Sequence, residues 1–497
     1  MTTGLVELSA VRLRELLQHG EVSAEEVCRA FLDRAERLES RLHAFHRLTP
    51  ELALRRARTL DRNRPDGVLP PLWGIPLGDK DLFDRAGVRS TSGSRAYAHR
   101  VATDDSPLVT TLDRAGAVSL GKTATPEFGM NGYTENLVFP PPRNPWAPDC
   151  GPGGSSGGAA VAVAARMLPL APGNDGGGSI RIPAAACGLV GLKPGRGVVP
   201  DQSGVGTVGG LATAGPIARS AADAALLFDA MTPRNEHGRI PQPTATAGTG
   251  TDTASAGPSR PGLWVLPELR RQVEADPGKG LRIGIATATP WDETYTVRLA
   301  PEGAEALNWA ARALSGLGGE VDEIQLPATP GYASAFRTVW HAGMAAFASR
   351  LPDHDVQQFE PMTRWAIERG RSYSAVDLCR ALALFDRLER DAAALFTRVD
   401  VLLTPVLAQT PRPIGWFHDD DPEVDFARQC AYEPYTSWVN VAGLPAVTVP
   451  AVQVSGIPMG VQLVGGSGSE IQLLALAAAL QGLNGSDAWT PPLTAAV

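Results

Sequence analysis

Lysine is scarce in this chain, and one of its few copies stands where a base could act. The 497 residues include 41 arginines but only four lysines, Lys80, Lys122, Lys193 and Lys279. In a GC-rich coding background lysine drifts to arginine wherever either residue serves. A lysine that remains can therefore mark a place that a guanidinium cannot fill, because only lysine gives up its proton at attainable pH. Lys80 lies in Gly74-Ile75-Pro76-Leu77-Gly78-Asp79-Lys80-Asp81. By itself a lysine in this setting is more often a half-exposed salt-bridge partner, here of Asp79 or Asp81, than a catalytic group. Two further glycine-flanked segments carry serines. Gly153-Gly154-Ser155-Ser156-Gly157-Gly158 would pass for a linker, except that it abuts an Ala/Val-rich helix start, where free N–H groups and the helix dipole favour negative charge. In Asn174-Asp175-Gly176-Gly177-Gly178-Ser179-Ile180-Arg181-Ile182-Pro183, three glycines before a serine allow backbone N–H groups to converge on one point, as an oxyanion hole needs.

Acyl transfer to serine needs a nucleophile, a base within hydrogen-bond reach and donors for the oxyanion. Histidine is the usual base, yet none of the eight (19, 43, 46, 99, 237, 341, 354, 418) sits in a glycine-rich setting, and no GxSxG pentapeptide occurs. A lysine base is the remaining option, which makes Lys80 conspicuous.

The runs GIPLGDKD, GKTATPEFG, RNPWAPDCGPGGSSGGAAVAVAA and GNDGGGSIRIPAAACGLVGLKP, in that order, resemble the amidase-signature family. The resemblance is strong over 70–230 and continues in NVAGLPAVTVPAVQVSGIPMGVQLVG near the C-terminus. Lys80 precedes Ser155 by 75 residues and Ser155 precedes Ser179 by 24, separations that suit the family. The resemblance implies Ser179 as nucleophile, Ser155 as a bridging serine after a cis peptide, and Lys80 as the base. It places the oxyanion donors at Gly176, Gly177, Gly178 and Ser179, and substrate contacts at Gly129, Met130 and Asn131. To serve as a base Lys80 must be neutral, so its ordinary value of about 10.4 must fall through desolvation or nearby dipoles. The family commonly has Thr or Ile where this chain has Gly176, a departure that bears on substrate preference. The pattern GND…GS…RIP is also similar to that of hydrolases acting on nylon-type cyclic amides. Trp340, Phe347 and Trp365 are candidate pocket aromatics. Asp175 and Arg181 read as a buried structural pair, and Ser156, Lys122 and Lys193 as packing and local hydrogen bonding.

The elements that must position these residues follow from apolar spacing and turn chemistry. Helical spacing covers 6–18 and 23–38, the second opened by a Ser23/Glu26 capping box. Short apolar runs between Gly/Pro turns over 66–122 suit strands leading into loops. Helices are predicted at 157–167, 217–231, 301–317, within 331–399 and at 471–483, with strands at LRIGIA and VDVLLTP. The stretch 239–262, rich in Thr, Ala, Gly and Pro, has too little apolar bulk to offset the entropy of ordering it and reads as a flexible surface insertion. The expected fold is α/β: one large domain over 1–497 with a mixed twisted sheet surrounded by helices. Its core would span 66–231, and 281–485 would complete the same domain.

Composition narrows the function. A net charge of −8 disfavours nucleic-acid binding, which wants a basic face. No run of eighteen uncharged apolar residues occurs, so a membrane span is not expected, and the polar N-terminus does not read as a signal peptide. Five dispersed cysteines without a CxxC pair suggest reduced thiols in a cytoplasmic, bacterial-type protein with no metal site. The expected activity is hydrolysis of a small-molecule amide (linear, cyclic or aryl) without a cofactor, and a homodimer is left open. A carbamate- or ester-cutting hydrolase on the same triad is the alternative. A glutamine amidotransferase subunit expects YGxVSRxGxxAxxSSLDxxGP after GLKP; here the run is GRGVVPDQSGVGTVGGLATAGP, without the tyrosine, the arginine or SSLD.

Overall fold

The computed structural model describes residues 2–200, 205–232 and 263–495; the stretch 239–262 lies outside the described residues. Eleven strands occur in chain order among them: β1 (Phe45–Leu48), β2 (Pro76–Lys80), β3 (Val118–Thr123), β4 (Leu170–Asp175), β5 (Val190–Lys193), β6 (Thr213–Ala218), β7 (Arg282–Ile285), β8 (Glu320–Glu323), β9 (Val401–Pro405), β10 (Ala446–Val454) and β11 (Ile457–Gly465). Eight of them form one mixed sheet in the order β4-β6-β5-β10-β11-β9-β7-β8, and β1-β3-β2 form a second, three-stranded sheet. The seam that joins the two halves of the chain is the antiparallel pairing of β5 with β10, where Lys193 faces Ala446 and Gly191 faces Thr448. Among the described strands, parallel pairing is confined to β9, β7 and β8 in the large sheet and to β2 and β3 in the small one. The mixed α/β architecture expected from the sequence is therefore present, with the small sheet as an addition.

The helix Gly157–Ala164 has no polar face and is buried all round. An apolar circumference is what a helix needs when neighbours enclose it on every side. Its start is pressed against the small sheet so closely that a Cβ on Gly158 would lie 2.2 Å from the Ala124 amide nitrogen and 2.4 Å from the Ala44 carbonyl. Glycine at 158 is thus a condition for bringing Ser155 and Ser156 up to the end of β2.

Predicted helices are found at Ala10–His19, Ala24–Leu42, Pro301–Gly316 and Glu470–Asn484, and four helices fill Tyr332–Leu395. The Ser23/Glu26 capping box is formed. Boundaries differ at three of them: the helix expected from residue 6 begins at Ala10, the one expected over 157–167 ends at Ala164, and at 217–231 Ile217 and Ala218 belong to β6 while the helix begins at Ala221, after Ser220, whose hydroxyl accepts the Asp223 N–H. The Ser-started first turn is the correct signal; the apolar pair before it is strand. Below the large sheet lies a mainly aliphatic core. A second core gathers the aromatics of Tyr332–Ala348 with Trp291, Phe426 and Trp438.

Asp229, near the end of the helix Ala221–Met231, accepts the N–H groups of Trp264, Val265 and Leu266 at 2.9–3.3 Å and so caps the helix Val265–Glu274 from outside. Free N–H groups and the positive end of the dipole make a carboxylate a good cap there. Asp229→Ala is expected to lower stability by about 1–2 kcal/mol, read from urea unfolding; an unchanged midpoint would show that the helix start finds other acceptors.

Candidate active site

Lys80, the last residue of β2, is fully buried, and its Nζ donates to Ser155 Oγ at 2.8 Å, to Ser156 Oγ at 2.9 Å and to the Asn174 carbonyl at 3.4 Å. Neither flanking aspartate meets it. Asp79 is held by Arg85 (2.7 Å) and the Ser119 hydroxyl (2.7 Å). Asp81 accepts from the Thr91 hydroxyl at 2.5 Å, lies 2.9 Å from His46 Nδ1, and has Lys122 3.7 Å away. Strand alternation explains the split, since side chains at 79 and 81 leave the strand on the opposite side from 80. Burial pushes the Lys80 amine down to about 7, with Asp175 opposing the shift. Lys193 is also brought to about 7 by burial, but its Nζ donates to the Pro194 carbonyl and meets no hydroxyl. What singles out Lys80 is its pair of serine partners.

The Gly154–Ser155 peptide is cis. Glycine is required before it, because a Cβ on Gly154 would lie 2.4 Å from the Tyr133 carbonyl oxygen. Ser155 is 2 % exposed and Ser179 8 %, and of the two only Ser179 reaches the cavity described below. The loop that carries Ser179 docks on the serine segment through the Ser156 N–H, which donates to the Ser179 carbonyl at 3.1 Å. Ser179 Oγ makes no side-chain hydrogen bond among the described residues. Of the two links a Ser–Ser–Lys relay requires, the Lys80–Ser155 link is formed and the Ser155–Ser179 link is not. Catalytic bonds of this kind are often long before substrate binds.

Asp175 organises the same loop. Its carboxylate is fully buried and accepts from Gly178 N (2.8 Å), Ile180 N (3.1 Å), the Arg181 guanidinium (2.9 and 3.0 Å) and Asn440 Nδ2 (2.9 Å). Burial alone would raise this carboxyl; Arg181 overrides that and holds it well below the ordinary range. The expected structural pair is thus formed. One expected oxyanion donor is not available: the Gly178 N–H is spent on Asp175. Gly178 has φ +140°, and a Cβ there would lie 2.4 Å from Thr436 Oγ1. The N–H groups of Gly176, Gly177 and Ser179 donate to no protein acceptor among the described residues, and Gly177 and Ser179 line the cavity.

That cavity spans about 500 Å³ of empty space, the open solvent at its mouth included. Of the expected contact residues, Met130 and Asn131 line it. Gly129 does not; it packs against Ser155, whose Oγ lies 3.4 Å from where a Cβ on 129 would be. Of the three candidate aromatics, Trp340 lines it. Phe347 instead meets Phe128 at 4.9 Å, and Trp365 packs on His341 at 4.8 Å. The rest of the wall, Trp291, Phe336, Phe426, Gln429, Glu433 and Ser437 among it, is not singled out by the sequence. Ser156, assigned to packing and local hydrogen bonding, makes that hydrogen bond with Lys80 itself; its adjacency to Ser155 is the signal for that partner.

With this geometry in view, the relatives are informative. The Amidase family model matches residues 26–474, and the chain belongs to that family, the amidase-signature enzymes. Members act on amide C–N bonds, and this chain is an enzyme of that class. A glutamyl-tRNA(Gln) amidotransferase subunit from Nitrosococcus oceani is 33 % identical over 497 aligned residues, covering 94 % of this chain and 96 % of the relative. The solved structure of 6-aminohexanoate cyclic dimer hydrolase with its substrate superposes with a TM-score of 0.83 at 28 % identity, over 98 % of this chain and 99 % of that one. A bacterial aryl acylamidase follows at 0.79 and 25 %, covering 96 % of both chains.

Removing the Asp175 carboxylate would leave the Arg181 guanidinium buried without a counter-charge and the loop N–H groups without an acceptor. Asp175→Ala is expected to cost about 3–5 kcal/mol of stability, read by chemical denaturation. A loss below about 1 kcal/mol would show that Gln462, Asn440 and the Thr436 carbonyl suffice for Arg181.

Proposed function

We propose that the protein hydrolyses a carboxylic amide through an acyl-enzyme on Ser179, with Ser155 as proton bridge and Lys80 as base. The observation that carries this reading is the sealed Lys80 amine, bonded to Ser155 and Ser156 while both neighbouring aspartates are engaged elsewhere. A lysine kept as a structural cation would be expected against a carboxylate; one kept as a base should be desolvated and next to a hydroxyl.

In this mechanism Ser179 attacks the amide carbon as Ser155 takes its proton and passes one to Lys80. The developing oxyanion is met by the free N–H groups around Gly176, Gly177 and Ser179, with Gly178 serving to fix the loop through Asp175. The proton returns through Ser155 to the leaving amine. Water then attacks the acyl-enzyme with the same groups in reverse order. The small cavity suits a small-molecule substrate, and the same groups would serve carbamates and esters.

The 33 % identity to an amidotransferase subunit favours a second reading, release of ammonia from glutamine. Glutamine brings an α-carboxylate, yet among the described residues no Lys, Arg or His lines the cavity, and the sequence lacks the SSLD stretch expected for that subunit. A panel of anilides, aliphatic amides, carbamates, esters and glutamine separates the readings. Turnover of amides without ammonia release from glutamine is expected, and glutamine as the preferred substrate would reverse the assignment.

The nucleophile is tested by labelling. A sulfonyl fluoride should modify Ser179, and an adduct on Ser155 or Ser156 with Ser179 untouched would overturn the roles.

The base is tested by substitution and by pH. Lys80→Arg keeps the charge but cannot accept a proton, so activity should fall by about 10³-fold or more, nearly as far as for Lys80→Ala. A folded Lys80→Arg enzyme retaining a tenth of wild-type activity would contradict the mechanism. The active form carries a neutral amine, so kcat/KM should be low in acid and rise with pH through about 7 to a plateau. An ordinary solvated lysine would place that limb about three pH units higher.

A further inference from the structure

Thr134 is buried away from the cavity wall and commits its hydroxyl to the serine turn. Its Oγ1 donates to the Gly153 carbonyl at 2.8 Å and accepts the Gly157 N–H at 3.2 Å. Among the described residues neither backbone group has another partner. One hydroxyl therefore ties together both ends of the turn Gly153–Gly157. Between those ends stand Ser155 and Ser156, whose hydroxyls meet Lys80. A helical threonine commonly gives its O–H to the carbonyl one turn back, as Thr111 and Thr338 do to Pro107 and Ser334. Thr134 instead reaches 19 and 23 residues along the chain.

The fit around that hydroxyl is tight on both sides. A Cβ on Gly157 would lie 2.3 Å from Thr134 Oγ1, so the absence of a side chain there is what admits the bond. On its other side, Thr134 follows a residue that is firmly anchored. The Tyr133 ring stacks on Phe417 with centroids 5.0 Å apart, and its hydroxyl donates to Asp425 at 3.0 Å. The Gly132 N–H donates to Gln429 at 2.9 Å, and Gln429 donates to the same Asp425 at 2.7 Å. The segment 132–134 is thus pinned to the helix Pro422–Tyr432, which also carries Phe426 and Cys430 of the cavity wall. Through Thr134 that fixed frame reaches the turn that bears Ser155.

Resting on the proton relay proposed above, we infer that Thr134 is a positioning residue for Ser155: its hydroxyl holds the turn so that Ser155 Oγ stays within reach of Lys80 and, once substrate is bound, of Ser179. Without that hydroxyl the Gly153 carbonyl and the Gly157 N–H are left buried and unpaired, and the turn relaxes to find other partners. A displacement of about 1 Å at a reacting group can lower a rate about a hundredfold. The effect falls on proton transfer, because Thr134 touches neither the Lys80 amine nor the cavity. An amine leaves only with the proton that Ser155 returns to it, whereas 4-nitrophenolate leaves without one. Loss of position therefore slows amides more than activated esters.

The test uses the purified full chain with Thr134→Val, Thr134→Ala and Thr134→Ser. Valine and alanine both lack the hydroxyl, one keeping the volume and the other relieving it, whereas serine keeps both hydrogen bonds. Two rates are read: sulfonylation of Ser179 by phenylmethanesulfonyl fluoride, and hydrolysis of the hexanoyl 4-nitroanilide and 4-nitrophenyl ester. Each is corrected to the folded fraction taken from urea unfolding. Thr134→Val should sulfonylate about ten- to a hundredfold more slowly than wild type. Its kcat on the anilide should fall further than on the ester, with KM nearly unchanged. Thr134→Ala should behave in the same way, and is read in its place if the valine variant does not fold. Thr134→Ser should return close to wild type. Sulfonylation at the wild-type rate in the folded hydroxyl-free variants, however much stability they lose, would overturn the inference and leave the amidase reading standing. A Thr134→Ser enzyme as slow as Thr134→Val would count against it equally, as would equal losses on anilide and ester with a raised KM. Failure of wild-type Ser179 to react would instead strike at the relay itself.

Discussion

A lysine amine sealed from water between two serine hydroxyls, with no carboxylate opposite, is the constraint around which this structure is built. An ammonium in that position would be expensive, so burial favours the neutral amine and moves it toward 7. The arrangement survives only if the aspartates on either side are kept away. Arg85, bridging Asp79 and Asp113, and the His46–Asp81–Lys122 group do this on the far side of the strand. These ion pairs therefore matter less for stability than for where they prevent a carboxylate from going. Lys193 shows that burial alone does not distinguish a base. It is as deeply buried and shifted as far, yet it meets a carbonyl and has no proton to receive.

Asp175 carries the same logic into the neighbouring loop. One carboxylate, kept ionised by Arg181, holds three successive parts of the turn: the amides of Gly178 and Ile180 and the guanidinium of Arg181. By taking the Gly178 amide it fixes the direction of the Gly177 and Ser179 amides beside it. Asn440, from the C-terminal half of the chain, bonds to the same carboxylate and to the Asp175 carbonyl. The loop is thereby clamped between the end of β4 and the short helix Ser437–Val441, which come from the two sides of the β5–β10 seam. The same charge acts on Lys80, Lys193 and Glu433.

How much of this could be read from the sequence depends on how local the signal is. Lys80, Ser155 and Ser179 were legible because each sits in a glycine context that makes sense only if backbone must approach closely or N–H groups must converge. The Gly158 and Gly154 contacts show that physical demand directly. The fate of the Gly178 amide was not legible, since three consecutive glycines look alike until Asp175 selects one. The far wall was hidden for a different reason. Glu433, in CAYEPYTSW, looks like an ordinary solvated acid near a helix end, and only the fold shows it facing Gly132, about three hundred residues earlier. Aromatic spacing on Tyr332–Ala348 indicated burial but not which buried face adjoins a void. Phe336 and Trp340 stack along the cavity, whereas Phe347 passes beyond it to Phe128.

This division of labour explains how relatives of different activity share the fold over nearly the whole chain. The three residues proposed for the chemistry lie on segments between 80 and 179, anchored to the small sheet, to the helix Gly157–Ala164 and to β4. Most of the walls that meet the substrate come from 291 to 437, joined to the first part through the β5–β10 seam and the Asn440–Asp175 clamp. Changing the walls alters which amide is admitted without disturbing the reacting end, so overall identity follows the fold and the chemistry more closely than the substrate. The substrate has to be argued from the charges and unpaired atoms of the walls themselves. Among the described residues those walls are rich in aromatic side chains and include no Lys, Arg or His, and Asn131 Nδ2 and Glu433 Oε2 are buried in them without a partner.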